Sequence, residues 1–435
     1  MYKDLKFPVL IVHRDIKADT VAGDRVRGIA RELEQEGFSI VSAANYTEGR
    51  LVASTHHGLS CMLIAAEDAS TGSHLLHNMA ELIGLARVRA PDLPIFALGE
   101  QVTLENAPAD AMAELNQLRG ILYLFEDTVP FLARQVARAA RKYLDGLLPP
   151  FFKALVQHTA DSNYSWHTPG HGGGVAYHKS PVGQAFHQFF GENTLRSDLS
   201  VSVPELGSLL DHTGPLAEAE ARAARNFGAD HTFFVINGTS TANKIVWHSM
   251  AARDDLVLVD RNCHKSHHYG LVFCGGQPLY VEAYPLTEYS MYGAVPLKTI
   301  KKTLLDLKAE GKLDRVRMLL LTNCTFDGHV YDVPRFMEEV LAIKPDIVFL
   351  WDEAWYAYNP KLLNTRLLPD PDAVKLRVYA TTSTHKSLSC FRQGSYIMVN
   401  DDCWESTEAS FKEAFFAHTS TSPNLQLIAS LDVAR

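Results

Sequence analysis

The fold of this 435-residue chain is decided by the stretch Ile347-Val348-Phe349-Leu350-Trp351-Asp352-Glu353-Ala354-Trp355. Its apolar residues predict a strand that is buried on both faces of a parallel sheet. Ligands of such sheets bind beyond the carboxyl ends of the strands, so the acid that closes this strand marks a candidate site. A buried carboxylate is costly without a cation nearby, and we therefore expect Asp352 to have a positively charged partner.

Seven candidate strands lie beyond residue 161. They are Phe233–Asn237, Leu256–Asp260, Pro278–Ala283, Met318–Asn323, Ile347–Asp352, Val378–Ser383 and Ser395–Asn400. Helix-length stretches separate most of them, which predicts an α/β fold. The last two strands are separated by only Thr384–Gly394, which is too short for a usual parallel crossover. We therefore expect a mostly parallel seven-stranded sheet with one antiparallel member.

The N-terminal part of the chain alternates five short apolar runs with helical patterns. The runs are Val9–Val12, Ser39–Ser42, Cys61–Ala65, Ile95–Leu98 and Ile121–Leu124. This alternation predicts a flavodoxin-like or receiver-like domain. A phospho-receiver needs an acidic pair after its first strand and a lysine after its fifth, but His13-Arg14 and Phe125-Glu126-Asp127 stand at these places. We therefore interpret this domain as structural.

Three segments are expected along the chain. They are a flavodoxin-like domain over residues 1–127, a helical linker over 128–160 and a large domain over 161–435. The linker is predicted from a helical pattern that is broken at Pro149-Pro150. The large domain carries the seven strands, so we expect the chemistry to lie there.

Composition and charge limit the classes of function. The formal net charge of −9 and the pI near 6.1 argue against a nucleic-acid partner and mildly favour a cationic substrate. No apolar run approaches the roughly 20 residues of a membrane helix, and Phe7–Val12 is too short for a signal peptide. The six cysteines form no CxxC pair, so neither a disulfide framework nor a structural metal is indicated. The expected location is the cytoplasm.

The segment Gly238-Thr239-Ser240-Thr241 follows the first strand of the large domain and precedes a helical stretch. Glycine permits close backbone approach, and the hydroxyls can donate hydrogen bonds. A helix N-terminus adds free N–H groups and a partial positive charge. This segment therefore predicts an anion site suited to a phosphate. The alternative is that a hydroxyl simply caps the helix.

Three histidines follow the second strand of the large domain. They are His264, His267 and His268, within Asp260-Arg261-Asn262-Cys263-His264-Lys265-Ser266-His267-His268. Their closeness suggests a metal, but no carboxylate or thiolate at a useful spacing supports one. We favour another role for His264, in which its flat imidazole lies over an aromatic ligand.

The sixth strand ends in Ser383-Thr384-His385-Lys386-Ser387, which places an amine at the same sheet edge as Asp352. A plain salt bridge between Asp352 and Lys386 is the simplest alternative. The anion site, the stacking histidine, the buried acid and the lysine together require more. They fit pyridoxal 5'-phosphate (PLP), with its phosphate at the helix N-terminus, its ring under His264, its ring nitrogen on Asp352 and its aldehyde on Lys386.

Five ordered motifs resemble those of the bacterial ornithine/lysine/arginine decarboxylases. This family has PLP fold type I, which is aspartate-aminotransferase-like, and an N-terminal wing domain. The motifs are Trp166-His167-Thr168-Pro169-Gly170-His171-Gly172, Asn237-Gly238-Thr239-Ser240-Thr241-Ala242-Asn243-Lys244, Asp260-Arg261-Asn262-Cys263-His264-Lys265-Ser266, Asp352-Glu353-Ala354-Trp355 and Ser383-Thr384-His385-Lys386. The resemblance covers essentially the whole chain. Gly172-Gly173-Gly174 and Glu205–His212 are most similar to the lysine decarboxylases.

The resemblance implies roles for individual residues. The catalytic residues it implies are Lys386, Asp352, His264 and His385. The cofactor contacts it implies are Gly238, Thr239, Ser240, His264, Asp352, Ala354, Ser383, His385, Lys386 and Thr421 of the partner subunit. The proton donor to the substrate Cα stays open between Lys386 and His385, and no metal is implied.

The resemblance also implies an activity and an assembly. The activity is PLP-dependent decarboxylation of a basic amino acid, lysine before arginine or ornithine, to a di- or polyamine and CO2. The assembly is a homodimer with a shared active site, extended to larger rings through the wing domains. Family members are longer, so we expect a chain that is C-terminally truncated relative to them. Two alternatives stay open: another fold type I enzyme, an aminotransferase or a lyase, and an inactive fragment or scaffold.

Overall fold

The computed structural model describes residues 7–66, 73–101, 118–161, 167–200, 202–358 and 375–435. Trp166, which begins the first of the five motifs, lies outside these described residues. The chain divides into two compact units, Met1–Leu148 and Pro149–Arg435. Each unit has its own hydrophobic core.

The first unit contains a five-stranded parallel sheet. Its strands are β1 Pro8–Val12, β2 Ser39–Ala43, β3 Cys61–Ala65, β4 Ile95–Gly99 and β5 Gly120–Tyr123. Their order is β2-β1-β3-β4-β5, and every neighbouring pair is parallel. This is the flavodoxin-like strand order. The predicted strands and the predicted architecture of this unit are confirmed.

Helices cover both faces of this sheet. They are α1 Val21–Gln35, α2 Tyr46–Thr55, α3 Ser73–Arg89 and α4 Val129–Leu147. Alternate residues of a strand point to opposite faces. Accordingly, Val9 and Ile11 share one core with α1 and α4, whereas Leu10 and Val12 share the other with α2 and α3.

The segment 128–160, predicted to be a linker, is not a separate element. The helix α4 buries Leu132 in the core of the first unit. The next helix, α5 Pro150–Ala160, buries Phe151 in the core of the second unit. The boundary between the two units falls after Leu148 in the chain. The prediction was wrong because both helices have an apolar side, and such a side is buried on a core rather than exposed along a linker.

The second unit is built on a seven-stranded mixed sheet. In chain order the strands are β6 His231–Val235, β7 Leu256–Asp260, β8 Gln277–Val281, β9 Pro285–Leu286, β10 Met291–Tyr292, β11 Val316–Thr322, β12 Val348–Asp352, β13 Arg377–Thr382 and β14 Ser395–Asp401. The strands β9 and β10 form a separate ribbon, and the sheet order is β6-β14-β13-β12-β11-β7-β8.

Strand directions in the large sheet agree with the sequence. The strand β14 is antiparallel to both of its neighbours, and the other neighbouring pairs are parallel. The antiparallel strand is the one that follows the short connection Thr384–Gly394. The seven predicted strands and the single antiparallel member are therefore confirmed.

The second unit also contains helices. After α5 they are α6 Pro181–Phe190, α7 Glu192–Arg196, α8 Gly214–Phe227, α9 Thr239–Met250, α10 Lys265–Cys274, α11 Leu297–Ala309, α12 Val333–Leu341, α13 Thr384–Ser387, α14 Trp404–His418 and α15 Leu425–Ala434. Every residue of β7 and β12 is buried, as in a strand covered on both faces. Among the described residues, no helix combines the length and the apolar character needed to cross a membrane.

The carboxyl ends of the parallel strands lie level at one edge of this sheet. In the register, Asp352 at the end of β12 pairs with Thr322 of β11 and with Thr381 of β13. The strand β6 runs in the same direction, since it is antiparallel to β14 as β13 is. The segments that begin at Gly238 and Ser383 therefore reach the same edge as Asp352.

Candidate functional site

Gly238 forms the turn between β6 and α9. Its φ of 78° lies in the left-handed region, which glycine adopts without the steric cost of a Cβ atom. A Cβ atom placed on Gly238 would meet no atom within 4 Å, so the space beside this backbone is open. Gly238 has no side chain with which to cap α9, and the helix N-terminus is available to an anion.

The hydroxyl groups near this helix end differ in their surroundings. Thr239 is buried, and its Oγ1 lies 2.6 Å from Oγ of Ser383 and 3.0 Å from Oγ of Ser395. Thr239 and Ser383 therefore hold α9 against the ends of β13 and β14, whereas Ser240 is exposed. The alternative of a hydroxyl N-cap is wrong, because Gly238 itself is the N-cap residue.

Asp352 is buried at the end of β12, with 2% of its surface exposed. Its Oδ2 atom lies 2.8 Å from Nε2 of His267, and its Oδ1 atom accepts a hydrogen bond of 3.1 Å from the backbone N–H of Ala354. Burial raises the pKa of Asp352, and the hydrogen bonds from His267 and the Ala354 backbone lower it; the resulting pKa lies below its ordinary value. An imidazole thus takes the place of the lysine that we considered as the partner.

His264 is the N-cap residue of α10. Its Nδ1 atom accepts a hydrogen bond of 3.2 Å from the backbone N–H of Ser266. Burial lowers the pKa of His264, and the charge of Asp352 opposes this only in part. The ring is therefore neutral at neutral pH and fixed in orientation, as stacking over a ligand requires.

The three neighbouring histidines have separate surroundings. His267 contacts Asp352, and Nδ1 of His268 lies 3.1 Å from the hydroxyl oxygen of Tyr280. Among the described residues, no group of three or more His, Cys, Asp or Glu side chains is placed to hold a metal ion.

Lys386 lies on α13 with its side chain exposed. Its Nζ atom stands 4.1 Å from the centroid of the Trp355 ring. Partial burial lowers the pKa of Lys386, and Asp352 opposes this shift. Nδ1 of neighbouring His385 lies 2.8 Å from the carbonyl oxygen of Gly394. Because a carbonyl oxygen can only accept, this Nδ1 carries a proton and donates it. The plain Asp352–Lys386 salt bridge is not the arrangement found.

Glu353 was missed by the sequence reasoning. It is 1% exposed, and its Oε1 atom accepts a hydrogen bond of 2.6 Å from Nδ2 of Asn323. Within the described part of the chain, Oε2 has no hydrogen-bond partner. Burial holds the pKa of Glu353 well above its ordinary value, and the negative charge of Asp352 raises it further. The adjacent carboxyl groups are therefore in opposite states, Asp352 ionised and Glu353 protonated.

Thr421 lies between α14 and α15, and it is exposed. Asn424 caps α15 by accepting a hydrogen bond from the backbone N–H of Leu427, so none of the hydroxyls just before it is the cap of this helix. The Thr421 hydroxyl therefore does not cap α15.

Comparison with known proteins assigns the family. Residues 149–435 match the family description "Orn/Lys/Arg decarboxylase, major domain", and residues 21–143 match "Orn/Lys/Arg decarboxylase, N-terminal domain". The chain therefore belongs to the ornithine/lysine/arginine decarboxylase family.

Individual relatives agree with this family. The chain is 64% identical over 450 residues to lysine decarboxylase LdcA of Pseudomonas aeruginosa, covering 100% of this chain and 59% of the relative. It is 34% identical to the biodegradative arginine decarboxylase of Escherichia coli, covering 98% of this chain and 57% of that protein. A solved structure of lysine decarboxylase A from Pseudomonas aeruginosa matches with a TM-score of 0.89 and 63% identity, covering 100% of this chain and 59% of that one. The predicted resemblance to lysine decarboxylases is confirmed, and the chain spans about three fifths of the length of these relatives.

The protonated state of Glu353 leads to a stability prediction. Above the ordinary pKa of 4.5 the unfolded chain releases this proton while the folded protein keeps it, so the free energy of unfolding falls as pH rises. Glu353→Gln keeps the shape of the protonated acid without a titrating group. We expect urea unfolding to show that Glu353→Gln gains stability relative to the wild type between about pH 5 and about pH 8. Exposed Glu413→Gln serves as control, and equal pH profiles for all three proteins would contradict the assignment.

Proposed function

We propose that this protein binds PLP and decarboxylates a basic amino acid, with lysine as the first candidate. One observation carries the proposal. Two groups lie at the same sheet edge. They are the ionised, buried carboxylate of Asp352 and the exposed amine of Lys386, whose pKa is lowered. The chain as a whole is 64% identical to a lysine decarboxylase.

The residues present fit PLP at each of its functional groups. The open N-terminus of α9, with Gly238 and exposed Ser240, is suited to the phosphate. Thr239 and Ser383 hold this helix end in place through their 2.6 Å contact. The neutral ring of His264 is suited to stacking on the pyridine ring.

The remaining groups are suited to the reactive part of the cofactor. The carboxylate of Asp352 would hold a proton on the ring nitrogen, and the backbone of Ala354 keeps one carboxylate oxygen in place. The amine of Lys386 would bind the aldehyde covalently. When bound, PLP supplies an electron sink for the electrons left by the departing carboxylate.

The chain offers two groups that can deliver a proton to the substrate Cα. We propose Lys386 for this role. His385 donates its Nδ1 proton to Gly394, so it can release a proton from Nε2 only as an imidazolium. Lys386 has several protons to donate, and Asp352 opposes the lowering of its pKa by partial burial.

We further propose a homodimer in which the partner subunit's Thr421 contacts the cofactor phosphate, with wing domains that join dimers into rings. Two observations support the contact: Thr421 is exposed, and it does not cap α15. The cytoplasmic location expected from the sequence stays a prediction.

The activity is tested by a decarboxylation assay with lysine, arginine and ornithine in parallel. The assay uses both this chain and a longer natural form, because the chain spans only 59% of the lysine decarboxylase relative. We expect CO2 and a diamine, with the highest kcat/KM for lysine. A keto acid in place of CO2 would point to an aminotransferase. Turnover by neither protein, despite bound PLP, would point to a scaffold.

The role of Lys386 is tested by Lys386→Ala with PLP added. We expect loss of the borohydride-reducible visible absorption band and of nearly all turnover, because the proposed covalent linkage forms at this amine. Lys302→Ala, at a side chain that is 80% exposed, should keep both. A reducible band in Lys386→Ala would contradict the assignment.

The shared site is tested by sedimentation with and without PLP. A ligand held by two subunits stabilises the dimer, so we expect PLP to shift the equilibrium from monomer to dimer. Thr421→Val should weaken this shift, and exposed Ser422→Ala should not. A monomer that retains PLP as tightly as the dimer does would rule out the shared site.

A further inference from the structure

A buried row of polar side chains lies behind Asp352. Trp247 and His267 are both 0% exposed. Nε1 of Trp247 lies 3.0 Å from Nδ1 of His267, and Nε2 of His267 lies 2.8 Å from Oδ2 of Asp352. The row runs from α9 through α10 to the end of β12.

The chemistry of the indole fixes the position of the imidazole proton. The indole nitrogen of Trp247 can donate a hydrogen bond but cannot accept one. Nδ1 of His267 must therefore be the acceptor, and it carries no proton. The single ring proton is on Nε2, which donates it to Asp352. On this geometry the partner of Asp352 within the protein is a neutral imidazole, rather than the positively charged group expected from the sequence.

A second donor group strengthens this assignment. Thr381 donates a hydrogen bond of 2.6 Å to Oδ1 of Asn243, which fixes the orientation of this amide. Its Nδ2 atom donates to Oγ of Ser266 at 2.9 Å and lies 3.5 Å from Oδ2 of Asp352. Nδ2 of Asn243 lies 3.1 Å from Nε2 of His267. Because Nδ2 is a donor and cannot accept the proton on Nε2, Asp352 is the acceptor for it.

Local packing keeps the indole in position. The helices α9 and α10 approach closely at Gly270, where an added Cβ atom would come within 2.4 Å of Cδ1 of Trp247. Only a residue without a side chain leaves this indole in contact with α10. The arrangement is therefore built into the packing of two helices rather than into the sheet.

We infer that His267 is a positioning residue, a neutral imidazole that Trp247 holds in one tautomer so that it orients the Asp352 carboxylate. The inference rests on the proposed function, in which Asp352 faces the ring nitrogen of PLP. An imidazolium at this place would neutralise Asp352 and compete with the ring nitrogen for it. A neutral donor leaves the negative charge available to the cofactor.

The tautomer is measured first, in the cofactor-free protein. Two-bond 1H–15N correlation spectra of histidine-labelled protein identify which ring nitrogen carries the proton, with His267 assigned by His267→Phe. We expect an unprotonated Nδ1 and a protonated Nε2. Trp247→Phe removes the indole donor and should give a mixture of tautomers. A protonated Nδ1 in the wild type overturns the inference, whatever PLP does.

The effect on Asp352 is measured next through the PLP dissociation constant. We expect His267→Phe to raise the PLP dissociation constant about 10- to 100-fold, because this is the usual effect of losing a hydrogen bond to a charged group. His267→Gln keeps a donor and should recover most of the loss. His268→Phe, at the neighbouring histidine that contacts Tyr280, should stay within about 3-fold of the wild type.

These outcomes separate the two proposals. If wild-type protein forms the reducible adduct on Lys386 but His267→Phe and His268→Phe bind PLP equally well, the positioning role is wrong and the proposed function stands. If the wild type binds no PLP, the proposed function fails. Thermal unfolding of each variant identifies any that has lost its fold. If His267→Phe has lost its fold, the test uses His267→Gln instead. A PLP affinity of His267→Gln within about 3-fold of the wild type supports the positioning role, and a loss of affinity equal to that of Asp352→Asn overturns it.

Discussion

The buried carboxylate at the end of β12 depends on hydrogen-bond donors that come from three different elements. Asp352 receives them from His267 on α10, from the Ala354 backbone after its own strand and, at longer range, from Asn243 on α9. Burial alone would protonate this acid, and the donors reverse that tendency. The helices therefore have to pack on the sheet before the charge can exist.

The same requirement explains the state of the neighbouring acid. Glu353 receives one hydrogen bond, from Asn323, and it lies beside a charge that already occupies the site. Two adjacent buried carboxylates cannot both ionise at low cost. Of these two adjacent acids, Asp352 carries the negative charge, and it is the residue that we propose faces a bound cofactor. Lys386, above the Trp355 ring, remains available as an amine.

Sequence reasoning was most successful where periodicity decides the outcome. Apolar runs predicted the strands of both sheets, and the short connection before β14 predicted its direction. The rule that sites form beyond the carboxyl ends of parallel strands predicted that Gly238, Asp352 and Lys386 lie at one sheet edge. The register places the segments that contain them at that edge. These features depend on local sequence and on general rules of α/β folds.

The partner of Asp352 could not be predicted in this way. It depends on how α9 packs on α10, where Gly270 allows Trp247 to reach His267. Spacing did offer a signal, since His267 lies three residues after His264, the N-cap residue of the same helix, and therefore near the same face. The domain boundary was missed for a similar reason, because the helices on both sides of Leu148 pack on separate cores.

Of the two adjacent acids, Asp352 is ionised and Glu353 is neutral. Infrared difference spectroscopy between the wild type and Asp352→Asn at neutral pH tests this assignment most directly, because ionised and protonated carboxyl groups absorb at separate frequencies. We expect the loss of an ionised carboxylate band, with the protonated band of Glu353 retained. Loss of a protonated carboxyl band in Asp352→Asn would contradict the assignment.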